Sequence, residues 1–144
     1  MIEKIYHKKK LFALIVRAKF RKKNGIHFFT EDESNQQVGY MKHGKGHIIK
    51  PHRHKRRNTN IFYTTEVIIL FKGLLRVDFY DDKQKYLFSK TIKAKDIIML
   101  VHGGHGFKVL KKTEMIEIKQ GPYSAVKDKI KFGEIDEKKI KLKR

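Results

Sequence analysis

The chain has 144 residues, 40% of them hydrophobic and 11% aromatic, enough for one domain with its own core. It contains no cysteine, which excludes structural disulfides, cysteine zinc sites and a catalytic thiol. Lysine and arginine number 35 against 15 acids, a net charge of +20; these charges are spread along the chain and mixed with acids, so they attract polyanions without marking a dedicated nucleic-acid face.

No apolar run approaches the roughly 20 residues of a membrane span. The short apolar stretch near the N-terminus is followed by Arg17 and Lys19 where a leader would carry small residues, so the expected location is cytoplasmic.

The chain reads as short strands punctuated by turns. Residues 11–20 are apolar and β-branched enough for a first strand. Asn24-Gly25 is a turn signal, and residues 26–30 continue as a strand. Residues 31–35 form a polar loop. Residues 36–43 and 47–54 read as the next strands, separated by Gly44-Lys45-Gly46. Residues 55–60 are a basic loop.

Residues 67–71 are continuously apolar, the mark of a strand buried on both faces. Lys72-Gly73 reads as a tight turn. Leu75, Val77 and Phe79 then alternate with Arg76, Asp78 and Tyr80, the period of a half-buried strand. Further strands are expected over 86–92, 97–101, 107–110 and 114–119. Helix or disorder is confined to 124–131 and the last dozen residues. This pattern predicts an all-β sandwich or barrel.

The chemistry-bearing segment is Lys50-Pro51-His52-Arg53-His54. Two histidines at i and i+2 on a strand project from one face, so their imidazoles can converge on one ion. Glu66 opens the apolar run, where an unpaired carboxylate is costly to bury; a metal removes that cost. A fourth ligand is expected from the later segment Val101-His102-Gly103-Gly104-His105-Gly106-Phe107. His105 is preferred over His102 because the glycine-flanked turn centres on it. Two alternatives stand beside this reading. Residues 50–57 (KPHRHKRR) are a basic polyanion patch that the histidines merely decorate, or the histidines are core residues satisfied by hydrogen bonds.

At these residues the chain resembles the cupin superfamily. The first cupin motif runs glycine, five intervening residues, His-x-His, and later a glutamate separated by six residues from a second glycine. Gly46, His52, His54, Glu66 and Gly73 fall on those places. The chain departs in carrying eleven residues between His54 and Glu66. In the second motif Lys95-Asp96 replaces Gly-Asp, Val101 replaces a proline, and His105 lies one residue short of the usual spacing. A narrower likeness, to small bacterial cupins linked to surface-polysaccharide and nucleotide-sugar pathways, rests on Gly103–Phe107 and on Lys119-Gln120-Gly121-Pro122-Tyr123.

The resemblance implies a cupin-type jelly-roll barrel as one domain over residues 1–144, with the barrel over about 36–119 and a C-terminal arm and basic tail over 120–144. It implies one divalent transition metal (Fe, Mn, Ni, Co or Zn) on His52, His54, Glu66 and His105. Lys50, Arg57, Tyr63, Glu117 and Lys119 are candidates for the pocket lining. The expected role is binding or transforming a small polar, anionic metabolite such as a sugar or nucleotide-sugar derivative. Isomerase, epimerase, lyase and dioxygenase chemistry are all open. The alternatives are a non-catalytic sensor and a polyanion-binding protein. No membrane and no specific nucleic acid are expected as partners. A homodimer is expected, because one barrel wall cannot bury both faces of residues 67–71.

Overall fold

The computed structural model describes residues 1–124 and 128–143. They are organised as β-strands, with no α-helix among them and one 3-10 turn at Glu137–Lys139. Contacts divide the chain into two compact units, one of residues 1–20 with 64–144, the other of residues 21–63.

The larger unit opens with β1 (Ile2–His7) and β2 (Lys10–Val16), an antiparallel hairpin. Its two-residue turn is Lys8-Lys9, both with positive φ (47° and 65°), the left-handed pair that matches the twist of a hairpin. Nothing in Lys-Lys announces such a turn, so this strand is absent from the sequence reading. The unit continues with β5 (Glu66–Tyr80), β6 (Tyr86–Lys93), β7 (Ile97–Leu100) and β8 (Gly104–Lys119). All pair antiparallel in one curled sheet, ordered β1-β2-β7-β5-β6, with β8 on the other edge of β5.

Two pairs of expected short strands are in fact single long ones. Residues 67–71 and 75–80 belong to β5, and 107–110 and 114–119 belong to β8. Lys72-Gly73 does not end the strand. It marks a run of register shifts against β8 between Leu70 and Leu75. The buried core residues of β5 change phase across this run, from Ile68 and Leu70 to Leu75, Val77 and Phe79, as an inserted residue demands of a two-residue period. Gly73 has φ 96°, and a Cβ there would lie 2.3 Å from the Lys112 carbonyl oxygen, so the bend requires glycine.

The core joins Ile5, Phe12, Ala13 and Ile15 to these β5 residues and to Phe88, Ile92, Ile98 and Leu100. Val67 and Leu70 are buried within the single chain, while Phe71 is exposed. The apolar run of β5 therefore does not by itself require a second subunit.

Beyond β8 the chain passes along the sheet. Glu137 makes a bidentate pair with Arg76 (2.7 and 2.9 Å), the ring of Phe132 packs edge-on against Tyr80, and Ile135 N–H donates to the Tyr80 hydroxyl. Residues 141 and 143 exchange backbone hydrogen bonds with Ser89. No helix forms over the described part of 124–131; residues 125–127 lie outside the described residues.

The smaller unit holds one antiparallel pair, β3 (Gly25–Phe28) and β4 (Gly39–Lys42). The strand expected over residues 47–54 does not form. Pro51 removes a ladder donor, and Lys50, Arg53, Lys55, Arg56 and Arg57 are all exposed, so no apolar face and no opposing charge holds this stretch in a sheet.

Candidate metal centre

Glu66 begins β5 and is 5% exposed. By its period it shares the core-side face with Ile68 and Leu70. His105, near the start of β8, is the register partner of Phe79, which also faces the core. The two side chains meet: His105 Nε2–H donates to Glu66 Oε2 at 3.0 Å. The other carboxylate oxygen lies 3.6 Å from Lys129 Nζ. The hydrogen bond from His105 holds the Glu66 carboxyl below the usual glutamate range, helped by the charges of Lys129 and Lys119 and opposed by burial.

The sequence left His102 as the rival to His105. The structure turns His102 elsewhere, with Nε2 3.0 Å from an Asp82 oxygen and its ring edge-on to Phe12. Gly103 allows the separation of the two histidines. It has φ 74°, and a Cβ there would sit 2.4 Å from Phe12.

His52 and His54 belong to the smaller unit. They are exposed on the irregular segment, with ring centroids 5.4 Å apart. Although no strand aligns them, the short spacing keeps them neighbours. His52 Nδ1–H donates to the Lys50 carbonyl at 3.0 Å; in a neutral ring this bond leaves the lone pair on Nε2, the arrangement typical of a ligating imidazole. Lys50, Arg57 and Tyr63 are exposed in the same unit.

In the larger unit Lys119 pairs with Asp128 at 2.6 Å and lies 4.9 Å from the Tyr123 ring centroid, while Glu117 is exposed. Beside His105 opens a cleft of 340 Å³ bordered by Arg76, Tyr80, His105, Phe107, Lys129 and Phe132. Its wall of residues 129–134 escaped sequence reading, because nothing in that stretch shows a period or a motif.

Within either unit, among the described residues, no three His, Asp or Glu side chains gather as a metal-binding group. In the larger unit the Glu66 carboxylate contacts one imidazole and lies near Lys129; in the smaller unit His52 and His54 neighbour each other. Comparison of the chain with family models, with curated proteins and with solved structures gave no match.

Proposed function

We propose that this chain is a metal-binding cupin that binds or transforms a small polar, anionic metabolite, with His52, His54, Glu66 and His105 as the metal ligands. The observation that carries the reading is the Glu66–His105 contact. Two residues 39 positions apart, selected from the sequence as ligands, form a part-buried hydrogen-bonded pair, and the second carboxylate oxygen lies near the Lys129 ammonium.

The backbone at the motif positions adds support. The two glycines of the first motif, Gly46 and Gly73, have φ of 83° and 96°. Lys95, at the place of the second motif's glycine, has φ 71°, a left-handed conformation in which a side chain is ordinarily disfavoured. Asp96 follows it fully buried, accepting from Ala18 N–H at 2.8 Å, Lys93 N–H at 3.1 Å and Arg17 at 2.9 Å. The turn geometry that a Gly-Asp pair would supply is thus present without the glycine.

A divalent ion on these residues would supply Lewis acidity toward a carbonyl or hydroxyl oxygen. The protein's part is to hold the Glu66 carboxylate ionised, to orient His105 against it, and to present Lys129 and Lys108 along the neighbouring cleft, where they favour an anionic ligand. The test is elemental analysis of protein purified without chelators: about one metal per chain in the wild type and loss in both His52→Ala and Glu66→Ala. Metal-free wild type that also takes up no Fe, Mn, Co, Ni or Zn on addition overturns the proposal.

A second reading rests on the exposed run Lys50, Arg53, Lys55, Arg56 and Arg57 beside exposed Phe62 and Tyr63, which suits a single-stranded polyanion. Nucleic-acid binding that persists at physiological salt supports it; binding that vanishes steeply with salt reduces it to nonspecific charge.

A further inference from the structure

The cleft beside His105 opens between the start of β8 and residues 129–134, all within the larger unit. At 340 Å³ it falls within the roughly 300–1,000 Å³ of small-molecule pockets. Its border combines exposed rings with positive charge. Phe107 of β8 and Phe132 of the C-terminal segment are 37% and 36% exposed, and buried Tyr80 meets Phe132 edge-on at 5.0 Å. Two glycines shape this border. A Cβ on Gly104 would stand 3.0 Å from the Phe132 ring, too close for the ring to stay where it is, so glycine seats Phe132. A Cβ on Gly106 would meet Tyr80 at 3.8 Å, an ordinary contact. A side chain would fit there, and glycine leaves that space to the cleft.

The charges of the border do not cancel. Arg76 and Asp78 are bound to each other, and Arg76 is held further by Glu137. Lys108 and Lys129 touch acids only at 3.7 and 3.6 Å, with side chains 53% and 52% exposed, and loose exposed pairs of this kind contribute little. Lys131 makes no ion pair among the described residues. Three ammonium groups thus stand against one further acid, Glu134. Among the described residues no serine, threonine, asparagine or glutamine borders the cleft, and the Tyr80 hydroxyl already accepts from Ile135 N–H. The neutral groups that read the hydroxyls of a bare sugar are therefore missing.

We propose that this cleft binds an aromatic ring carrying a doubly charged anionic group such as a phosphate monoester, with the ring against Phe107 and Phe132 and the anion on Lys108, Lys129 and Lys131. Exposed rings favour a flat partner in stacked or edge contact, and a phosphate monoester carries close to two charges at neutral pH. The proposal rests on the anionic-ligand part of the function proposed above and narrows its class; it does not depend on the metal.

The test is calorimetric titration of the EDTA-treated chain at physiological salt, with phenyl phosphate as the probe. One saturable site per chain is expected. Cyclohexyl phosphate should bind about threefold or more weaker, and inorganic phosphate or benzyl alcohol about tenfold or more weaker, since each offers only half of the ligand. Phe107→Ala and Lys131→Glu should each weaken phenyl phosphate by about tenfold, whereas Lys45→Glu, in the smaller unit, should not, which separates the cleft from the overall positive charge. All three positions are exposed, and unchanged thermal unfolding of the variants separates a lost contact from a lost fold. Phenyl phosphate that binds no better than inorganic phosphate, or binding indifferent to both Phe107→Ala and Lys131→Glu, overturns the proposal. Metal uptake without phenyl phosphate binding strikes this proposal alone. Phenyl phosphate binding by a chain that takes up no metal strikes the metal assignment and leaves the cleft standing.

Discussion

Glu66 and His105 stand at opposite ends of the β5–β8 ribbon in register, Glu66 facing Lys119 and His105 facing Phe79, yet a 3.0 Å hydrogen bond joins them. A straight strand would hold their positions about 40 Å apart at roughly 3.3 Å per residue. The ribbon is therefore curled until its ends meet, and the register shifts between Leu70 and Leu75 are where it turns. The candidate site is a product of that curl, and its stability and chemistry depend on it.

The first prediction concerns pH. The Glu66 carboxyl titrates below its unfolded value, so its contribution is fully present above the ordinary glutamate range, about pH 4, and is lost as pH falls through the lower, folded value. Glu66→Gln is expected to cost about 1–2 kcal/mol at neutral pH, because a charge-assisted hydrogen bond is weakened. The difference from wild type should shrink in acid. Denaturant unfolding of both proteins from neutral pH to pH 3 checks this, and a difference independent of pH would show that the charge of the Glu66 carboxylate does not stabilise the fold.

The second prediction concerns the C-terminal segment. Arg76 is 6% exposed and joins buried Asp78, at 2.8 Å, to Glu137. Arg76→Ala leaves the Asp78 carboxylate buried with the Ser89 hydroxyl as its remaining partner, a change that costs about 3–5 kcal/mol. Glu137→Gln breaks only the outer link. It should leave the sheet folded but expose the lysines of residues 129–141 to trypsin, so limited proteolysis separates tethering from core stability.

The third prediction concerns the bend. Gly73→Ala forces a Cβ onto the Lys112 carbonyl in a left-handed backbone and should cost about 1–3 kcal/mol. Gly44→Ala, where the same atom meets nothing within 4 Å, should be close to neutral. Thermal unfolding of the two variants measures the contrast.

The parts of the fold legible in the sequence are those where pattern and packing agree. Leu75, Val77 and Phe79 alternate with Arg76 and Asp78 because one face joins the apolar core while the other is covered by the Arg76–Asp78–Glu137 contacts, and Gly25 of the Asn24-Gly25 turn signal opens β3. The hairpin at Lys8-Lys9 was hidden because its left-handed turn is built from lysines. The breaks assumed near Gly73 and Lys111 were misplaced because glycine bends this ribbon without ending it. In the site, Glu66 was singled out as a carboxylate in an apolar run and His105 by its flanking glycines, both as metal ligands; their direct hydrogen bond was not foreseen. The strand expected under His52 and His54 was read from spacing alone, and the surrounding cations and Pro51 work against it. The contribution of residues 129–137 to Arg76, Tyr80 and Glu66 is long-range and leaves no periodic trace.

Cobalt(II) titration followed by visible absorption tests the central claim most directly, since ligand-field bands report coordination independently of any activity. The account predicts saturation at about one cobalt per chain, with the bands lost in His52→Ala, Glu66→Ala and His105→Ala and retained in His102→Ala. Saturable bands that survive removal of Glu66 and His105, or no bands in the wild type, would contradict it.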